Sequence, residues 1–391
     1  MSSPGGAFGR GLLAGAIVTL LLLATIAPLR EAILPGVNGN DRIDEALGLI
    51  ERSYFKEPDT DALEEESIRG MVRALKRQTD DRFSHYFSPE VYERFTSSTE
   101  GEFSGVGTSV TEVKRGLRVA RVFEDAPAEE AGIDVGDLIV SVDGDSIAGK
   151  SATAAATEIK GEAGTTVMLG VIDGETGKKR SYEVERSQVR IPAVSGEIKE
   201  IDGTEIAYVR LETFSRGAHA ELRQEIERLY RMGAEGLILD LRGNGGGLVQ
   251  EAVLITSIFQ EEGAVLTTEG RTREERTLEV TGNSLDPKPM VVLVNNDSAS
   301  ASEIVTAALK QNDIATIVGT KTFGKGTFQE VIELEEGGGA LDLTVGEYLT
   351  SDGSSILGKG VKPDVRVTGK DPEDDKQLQR ALEVVDQKIG K

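Results

Sequence analysis

The sequence predicts a mixed α/β protein with several domains, and three patterns along the chain indicate this class. Residues 40–100 carry apolar side chains at helical spacing, and residues 103–186 contain short β-type runs broken by glycine. Between residues 187 and 370, strand-like and helix-like stretches alternate, as is typical of an α/β domain. At roughly 150 residues per domain, 391 residues provide enough material for two or three cores.

The composition narrows the classes of partner and chemistry. The chain has 44 basic and 67 acidic side chains and a net charge of −23, so we expect no nucleic acid as a partner, since a polyanion would be repelled. The absence of cysteine excludes disulfides, cysteine nucleophiles and thiolate metal sites. The chain has only two histidines, His85 and His219, so it has few candidate residues for a histidine-based metal site or a Ser/His/Asp triad.

The N-terminal segment, residues 1–30, predicts a membrane anchor. Residues 11–29 are uncharged and would form about 28 Å of helix, enough to span a bilayer. Arg10 precedes them, so the positive-inside rule keeps the N-terminus cytoplasmic and exports the remainder of the chain to a periplasmic or other extracytoplasmic space. The alternative is a cleaved signal peptide and a soluble exported protein, but Pro28 directly follows the small-residue pattern "ATIA" and disfavours cleavage there.

Residues 40–100 predict a small helical region. The stretches "DRIDEALGLIERSYF" and "DALEEESIRGMVRALKR" keep apolar residues on one helical face. A third helix is expected in "SPEVYERF", where Ser88 is an N-cap residue and Pro89 takes the first helical position.

Residues 103–186 resemble a PDZ domain. The resemblance rests on "SGVGTSV" at the position of the carboxylate-binding loop, on "DAPAEEAGIDVGDLIVSVDG", and on a helix from about Ser151 to Lys160. It implies that a peptide C-terminus binds at Gly105, Val106, Gly107 and Thr108 and adds as a strand beside "TSVTEV".

The two glycines of this loop are expected because of the backbone conformation that carboxylate binding requires. Consecutive N–H groups must point at one carboxylate, which requires backbone conformations that side chains obstruct at Gly105 and Gly107.

Related proteins often carry a basic residue at the end of the strand "VMLGVID", where this chain has Ile172 and Asp173. If that residue transmits peptide binding to another site in the related proteins, this chain must do so differently.

The next glycine-rich turn follows the apolar strand in "GLILDLRGNGGG". A dinucleotide-binding GxGxxG motif would require glycine at position 248, which is Leu248. Such a turn can also aim a backbone N–H at a developing oxyanion, and nothing local distinguishes that use from a plain turn.

A serine-rich turn, "NDSASASE", connects a buried-type strand to the helix "ASEIVTAALKQN". Ser300 therefore lies at a strand-to-helix corner, beside the first N–H groups of the helix and the positive end of its dipole. Ser300 and Glu303 also have the spacing of a capping box. The segment alone allows either a nucleophile or a helix cap.

The stretch "GTKTFGKGTFQ" nearly matches a phosphate-binding loop around Lys325. Gly326 lacks the hydroxyl that ligates magnesium, and the following residues "FQEVIEL" have the pattern of a strand. A phosphate loop must lead into a helix. The lysine therefore has another role.

Together these segments resemble the carboxyl-terminal processing, or tail-specific, proteases, which are PDZ-containing serine peptidases with a Ser/Lys pair. The likeness rests on "LDLRGNGGG", "SASASEIVTAAL", "VGTKTFGKGTFQ", "LDLTVGEYLTSDG" and "GKGVKPDV", in family order and spacing. It implies Ser300 as nucleophile, Lys325 as general base and Gln329 as the residue that orients the lysine. It further implies an oxyanion hole formed by the Ala301 N–H and a glycine of "GNGGG", assigned to Gly246.

The resemblance also sets the expected architecture. It implies a peptidase core of crotonase-like or ClpP-like type over residues 187–370, with an inserted PDZ domain at 103–186, the helical region at 40–100, and a C-terminal helical tail at 371–391. No metal and no cofactor are expected in the reaction.

The Ser/Lys chemistry is physically reasonable for these residue types. A serine hydroxyl is a weak nucleophile until a neighbouring base takes its proton, and lysine can do this only when it is neutral. Lowering a lysine pKa from about 10.4 to about 7 costs roughly 4–5 kcal/mol, which desolvation in a glycine-lined pocket can supply.

Three functions compete at this stage. The first is a membrane-anchored, exported endopeptidase that recognises protein or peptide substrates by their free C-termini. The second is a catalytically silent PDZ adaptor, which the intact Ser300, Lys325 and Gln329 disfavour. The third is a Ser/Lys acyl hydrolase of small amides, which the peptide-binding domain disfavours. Homo-oligomerisation, an activating adaptor and the natural substrates are left open.

Overall fold

The structure is a computed structural model that describes residues 41–369 and 375–390. The predicted anchor, residues 11–29, lies outside the described residues. No helix in the part that the structure describes has both the length and the apolar character needed to cross a bilayer. Contacts between Cα atoms divide the chain into two units, Met1–Thr79 and Asp80–Lys391.

The described part of the first unit consists of helices α1 (Asp41–Ser53) and α2 (Thr60–Thr79). Near the start of α2, the Asp59 carboxylate accepts the N–H of Ala62 at 3.0 Å. The helices follow the predicted apolar spacing, but most of their large apolar side chains are exposed: Ile43, Leu49, Ile50, Met71 and Leu75.

The second unit contains the remaining described elements. Its helices are α3 (Pro89–Glu100), α4 (Pro127–Glu130), α5 (Ala152–Ile159), α6 (Ala218–Arg231), α7 (Val249–Thr256), α8 (Ala301–Gln311) and α9 (Lys376–Ile389). Its strands are β1 (His85–Phe87), β2 (Glu102–Gly105), β3 (Thr108–Val113), β4 (Gly116–Val122), β5 (Leu138–Val142), β6 (Asp145–Ser146), β7 (Thr166–Ile172), β8 (Lys179–Glu185), β9 (Ser187–Arg190), β10 (Val194–Ile201), β11 (Thr204–Leu211), β12 (Gly236–Asp240), β13 (Ala264–Gly270), β14 (Arg273–Glu279), β15 (Met290–Val294), β16 (Ala315–Gly319), β17 (Thr327–Glu333), β18 (Ala340–Thr350) and β19 (Val365–Arg366). Glu335–Gly337 forms a 3₁₀ turn.

A β-rich domain occupies the segment that resembles a PDZ domain. Its antiparallel sheet has the order β3-β4-β5-β7-β8, with β6 paired to β5. Helix α5 begins one residue after Ser151, whose hydroxyl accepts the Ala154 N–H at 3.2 Å as an N-cap. Buried side chains of the sheet and helices form a separate hydrophobic core that includes Leu117, Ile139 and Leu169.

The chain enters and leaves this domain at adjacent points. Strand β2 leads in, strand β9 leads out, and the two pair antiparallel from Glu102↔Arg190 to Gly105↔Ser187. Beyond the ladder, the Gly101 carbonyl accepts the Ile191 N–H at 2.8 Å. The domain is therefore an insertion held by a two-stranded stalk.

The core is built on a six-stranded sheet of order β10-β11-β12-β15-β16-β19. Strand β10 is antiparallel to β11, and the other neighbours are parallel. Leu237 and Leu239 pack in the core cluster that contains α6, α7 and α8, whereas Ile238 packs with α9. The uninterrupted apolar runs of β12 and β15 are explained by burial on both faces.

A second sheet has the order β1-β18-β13-β14, with β17 also paired to β18. Strands β17 and β18 form a long hairpin, so the loop that holds Lys325 leads into a strand as predicted. Strand β1 pairs with β18 at His85↔Asp342 and Phe87↔Ala340.

Candidate active site

Ser300 immediately precedes helix α8, at the corner predicted from the sequence. Its backbone has φ +55° and ψ −117°, in a region that non-glycine residues rarely occupy. Such a conformation persists only where the surrounding structure enforces it, and it is frequent at functional sites. A sharp strand-to-helix turn of this kind presents a serine hydroxyl at the end of a sheet.

The two neighbouring serines have structural roles. Ser298 Oγ donates to the Leu241 carbonyl at 2.7 Å, and Ser302 Oγ donates to the Asn244 carbonyl at 2.9 Å. Both side chains are fully buried, whereas Ser300 keeps 8% of its surface exposed. These contacts fasten the serine turn to the glycine turn after β12.

Lys325 lies in the loop between β16 and β17. Burial lowers the pKa of Lys325 below its ordinary value, while the Asp342 and Glu303 carboxylates act in the opposite direction. Its Nζ lies 5.0 Å from the centroid of the Phe83 ring. The Nζ forms no hydrogen bond or ion pair with a described residue, so the Ser300–Lys325 hydrogen bond is not formed in this structure.

Glu303 connects the two residues through their backbones. Its Oε2 accepts the N–H groups of Ser300 at 3.0 Å and Lys325 at 2.8 Å. Its Oε1 accepts the Thr322 hydroxyl at 2.5 Å and the Gly324 N–H at 2.7 Å. Glu303 is fully buried, and four hydrogen bonds compensate its carboxylate for the lost water.

The sequence assigned Glu303 only to a helix cap and missed this role. A glutamate in an otherwise apolar helix start was the available signal, but its partners at positions 322–325 depend on the fold. Tyr348 was also missed. Its hydroxyl donates to the Lys325 carbonyl, and burial, followed by the charge of Glu303, raises the pKa of Tyr348 well above its ordinary value, with the Ser300 hydroxyl acting against this.

Gln329 lies on β17, but it does not contact the lysine amine in this structure. Its Nε2 donates to Thr344 Oγ1 at 3.1 Å and to Thr327 Oγ1 at 3.4 Å.

Asp342, on the facing strand β18, lies close enough to Lys325 for their charges to interact. Burial raises the pKa of Asp342 to about 6, Lys325 opposes this shift, and Asp81 adds to it.

Gly246 lies against the serine turn. A Cβ built on Gly246 would come within 2.9 Å of Ser300 Cβ and 3.0 Å of the Ala301 nitrogen. Ala301 is the first residue of α8, so its N–H lacks an intrahelical acceptor. The Gly246 N–H donates to Asn244 Oδ1 at 2.8 Å, whereas no described residue accepts the N–H of Gly245 or Gly247.

The residues of the predicted carboxylate-binding loop, Gly105 to Thr108, lie apart from this cluster, at the end of β2 and the start of β3. Gly107 has φ +81°, and a Cβ there would lie 2.2 Å from Ala126 Cβ, so only glycine fits. The N–H groups of Val106 and Gly107 donate to no other described residue. In the described ranges, no group of His, Cys, Asp or Glu side chains is arranged to hold a metal ion.

Family comparisons match both parts of the larger unit. Peptidase family S41 matches residues 205–367, which include Ser300 and Lys325, and the PDZ domain matches residues 118–173.

Two curated proteins are similar over most of their length. The chain is 35% identical over 338 residues to the carboxy-terminal-processing protease of Bartonella bacilliformis, covering 85% of this chain and 76% of that protein. It is 33% identical over 327 residues to the carboxy-terminal processing protease CtpA of Bacillus subtilis, covering 83% and 68%.

A solved structure of a protein described as an S41 protease from Bacteroides fragilis shares the fold, with a TM-score of 0.53. The two are 19% identical, and the match covers 86% of this chain and 91% of that chain.

Proposed function

Because the chain belongs to the S41 family of carboxy-terminal processing proteases, and is therefore a serine-type peptidase that acts on proteins, we propose that it cleaves peptide bonds with a Ser300–Lys325 pair. The observation that carries this proposal is the shared carboxylate of Glu303, which binds the backbone N–H of both residues. A helix cap alone would not require a bond to the lysine loop.

In the proposed mechanism, neutral Lys325 accepts the hydroxyl proton as Ser300 Oγ attacks the scissile carbonyl carbon. The amine leaves with a proton from the lysine, and an acyl-enzyme remains. Water then attacks the ester carbonyl carbon and gives a proton to the lysine. The lysine returns this proton to Ser300 Oγ as the ester C–O bond breaks, which releases the new C-terminus and restores the serine. The Oγ–Nζ hydrogen bond must form when substrate binds, as catalytic hydrogen bonds commonly tighten in the substrate complex.

The tetrahedral intermediate needs donors for its oxyanion. The Ala301 N–H is suitably placed at the helix start, where the dipole also favours negative charge. We assign the second donor to the glycine turn. Gly246 lies against Ser300, but its N–H is bonded to Asn244 Oδ1, so the donor is the N–H of Gly245 or Gly247.

We further propose that the PDZ domain selects substrates by their free C-termini. The support is the pair of N–H groups at Val106 and Gly107 that bond to no described residue, in a loop that only glycine can form. Successive N–H groups of this kind bind one carboxylate, and the peptide then adds to the sheet edge at β3.

The test combines labelling and cleavage. A fluorophosphonate should modify Ser300 in the full chain, and the chain should cleave a free-acid peptide faster than its C-terminal amide. Peptide binding without labelling or cleavage would indicate an adaptor. Labelling with turnover of small amides alone would indicate an acyl hydrolase, and either result would overturn the proposal.

Two further assignments are proposals. We place the core in the crotonase-like or ClpP-like type, supported by strands β11, β12 and β15, each followed by a helix on the same face. We also propose that residues 11–29 anchor the protein and leave its catalytic part outside the cytoplasm, supported by their 19 uncharged residues.

A further inference from the structure

A short turn that precedes β1, residues 81–84, packs onto the lysine side of the site. Asp81 folds the turn, because its Oδ1 accepts the Phe83 N–H at 2.9 Å and its Oδ2 accepts the Ser84 N–H at 3.2 Å. The turn is bonded to β18 at Thr344, whose N–H donates to Ser84 Oγ at 3.0 Å and whose Oγ1 donates to Asp81 Oδ1 at 3.1 Å.

The turn covers Lys325 with an aromatic ring. The Phe83 ring centroid lies 5.0 Å from Lys325 Nζ, and no described acceptor bonds to that nitrogen. The ring occupies space that water would otherwise take beside the amine. An ammonium group also interacts favourably with an aromatic face, but the loss of hydration is the larger influence on this lysine and favours the neutral amine.

The turn also fixes the orientation of Gln329. The Asp81 carboxylate only accepts hydrogen bonds, so Thr344 Oγ1 uses its single proton toward Asp81. Thr344 Oγ1 can then only accept from Gln329, which places the amide nitrogen of Gln329 toward Thr344 at 3.1 Å. The amide oxygen is left as the end available to the lysine amine, as a residue that orients a general base requires.

We propose that Asp81, Phe83 and Thr344 are positioning residues of the peptidase site: Phe83 keeps water from Lys325, and the chain Asp81–Thr344–Gln329 sets the orientation of the Gln329 amide. This inference rests on the proposed Ser300–Lys325 mechanism. It adds a segment from outside the family-matched region of residues 205–367 to the functional site.

The charged groups that face Lys325 come from several elements. Glu303 on α8 and Asp342 on β18 interact with its charge, and Asp81 acts on Asp342. His85 lies opposite Asp342 on β1, and the Tyr348 hydroxyl bonds to the lysine carbonyl. None of these groups changes in a Phe83 variant, so a shifted pH profile reports on the ring.

The first arm of the test concerns the ring. In Phe83→Ala, water reaches the amine and the lysine pKa rises, so the ascending limb of kcat/KM against pH should move to higher pH. At a fixed pH on that limb, activity should fall about tenfold if the limb moves by about 1 in pH, and it should recover at high pH. Phe83→Leu is the matched control, because it restores an apolar cover and should return the limb toward its original position.

The second arm concerns the hydrogen-bonded chain. Thr344→Val removes the hydroxyl with little change in shape, and kcat should fall about tenfold while KM stays constant, the effect of one buried hydrogen bond. Thr344→Ser should restore the rate. Asp81→Asn should also reduce kcat, whereas Asp80→Asn, an identical charge change at the preceding exposed residue, should not.

The outcomes separate this inference from the mechanism on which it rests. Failure of a fluorophosphonate to label Ser300 in the wild-type chain would overturn the mechanism. Normal labelling, with wild-type kcat and pH profiles in folded Phe83→Ala and Thr344→Val, would overturn only the role of the turn. If Thr344→Val does not fold, the ring arm decides, because Phe83 is only partly buried.

Discussion

Ser300 and Lys325 donate their backbone N–H groups to one carboxylate oxygen, at 3.0 Å and 2.8 Å. Ser300 precedes strand β16 in the sequence and Lys325 follows it. Glu303, in the first turn of α8, accepts a hydrogen bond from the backbone of each. A buried carboxylate with four donors is well compensated, but the two donors that share one oxygen lose their acceptor if that oxygen is replaced.

Replacing Glu303 with glutamine should therefore damage both stability and catalysis. One acceptor oxygen becomes an NH₂ group, which leaves buried N–H groups unpaired at a cost of about 1–3 kcal/mol. Chemical denaturation and peptide cleavage measure the two effects. Glu274→Gln, at an exposed position, is the control. Wild-type stability and activity in Glu303→Gln would contradict this account.

The three serines of the turn should respond differently to alanine. Ser300→Ala should lose cleavage by several orders of magnitude while remaining folded, because the covalent route is gone. Ser298→Ala and Ser302→Ala should each lose about 1 kcal/mol of stability, with activity largely retained, since their hydroxyls bond to backbone carbonyls. A fluorophosphonate adduct mapped to Ser298 or Ser302 would reverse the assignment.

The pH dependence of activity should follow the charge of Asp342. Lysine is active when neutral, so kcat/KM rises as pH approaches the lysine pKa, which burial lowers and Asp342 raises. Asp342→Asn removes the opposing charge, and the ascending limb should shift to lower pH. Asp286→Asn, on the surface, should leave the limb in place. An upward shift in Asp342→Asn would contradict the electrostatic argument.

The same substitution gives a second readout in stability. The folded-state pKa of Asp342 is about 6, above its ordinary 3.8, so the folded protein binds a proton that the unfolded chain releases. The contribution of Asp342 to the free energy of unfolding is present in full below about pH 4 and is lost as pH rises through about 6. Asp342→Asn should flatten that part of the unfolding free energy against pH.

The PDZ loop should be sensitive to a single added methyl group. Gly107→Ala places a Cβ 2.2 Å from Ala126 Cβ, so the loop must distort and KM for a free-acid peptide should rise. Cleavage of the amidated peptide, which lacks the carboxylate, should change little. Gly132→Ala is the matched control, because Gly132 also has a positive φ, +79°, but nothing lies within 4 Å of its Cβ. Equal effects of the two variants would indicate backbone strain alone.

The N-terminal segment should remain attached and hold the protein in a membrane. The full chain should sediment with membranes after high-salt washing, and deletion of residues 11–29 should release it, because these 19 uncharged residues are the proposed membrane span. N-terminal sequencing that finds a mature form beginning near residue 30 would favour the cleaved signal peptide.

The sequence predicted local structure well where periodicity and turn residues carry the information. Helix α6 buries Leu222, Ile226 and Leu229, which recur at helical spacing, and helix α5 begins and ends within one residue of the predicted bounds. The serine corner and the strand after Lys325 also follow from short-range patterns, and a strand at that point does not fit a phosphate loop.

The tertiary contacts that form the candidate site could not be predicted from local sequence patterns. Asp81 and Thr344 are 263 positions apart, and their bond depends on β1 pairing with β18 in one register. The partners of Glu303 lie in a loop whose path is set by tertiary packing. The Gln329 amide was assigned to the lysine by family pattern, whereas in this structure it bonds to two threonines.

The stalk of β2 and β9 has a consequence for chain entropy. Bringing the ends of a long flexible loop together ordinarily costs more as the loop lengthens. Here the inserted domain closes its own ends, at a 2.8 Å hydrogen bond between Gly101 and Ile191. For the folding core, the whole insertion is thus equivalent to a tight hairpin turn, and a few residues joining Gly101 to Ile191 would serve the core as well. The size of the inserted domain therefore adds little to the entropic cost of bringing Ser300 and Lys325 together in the core.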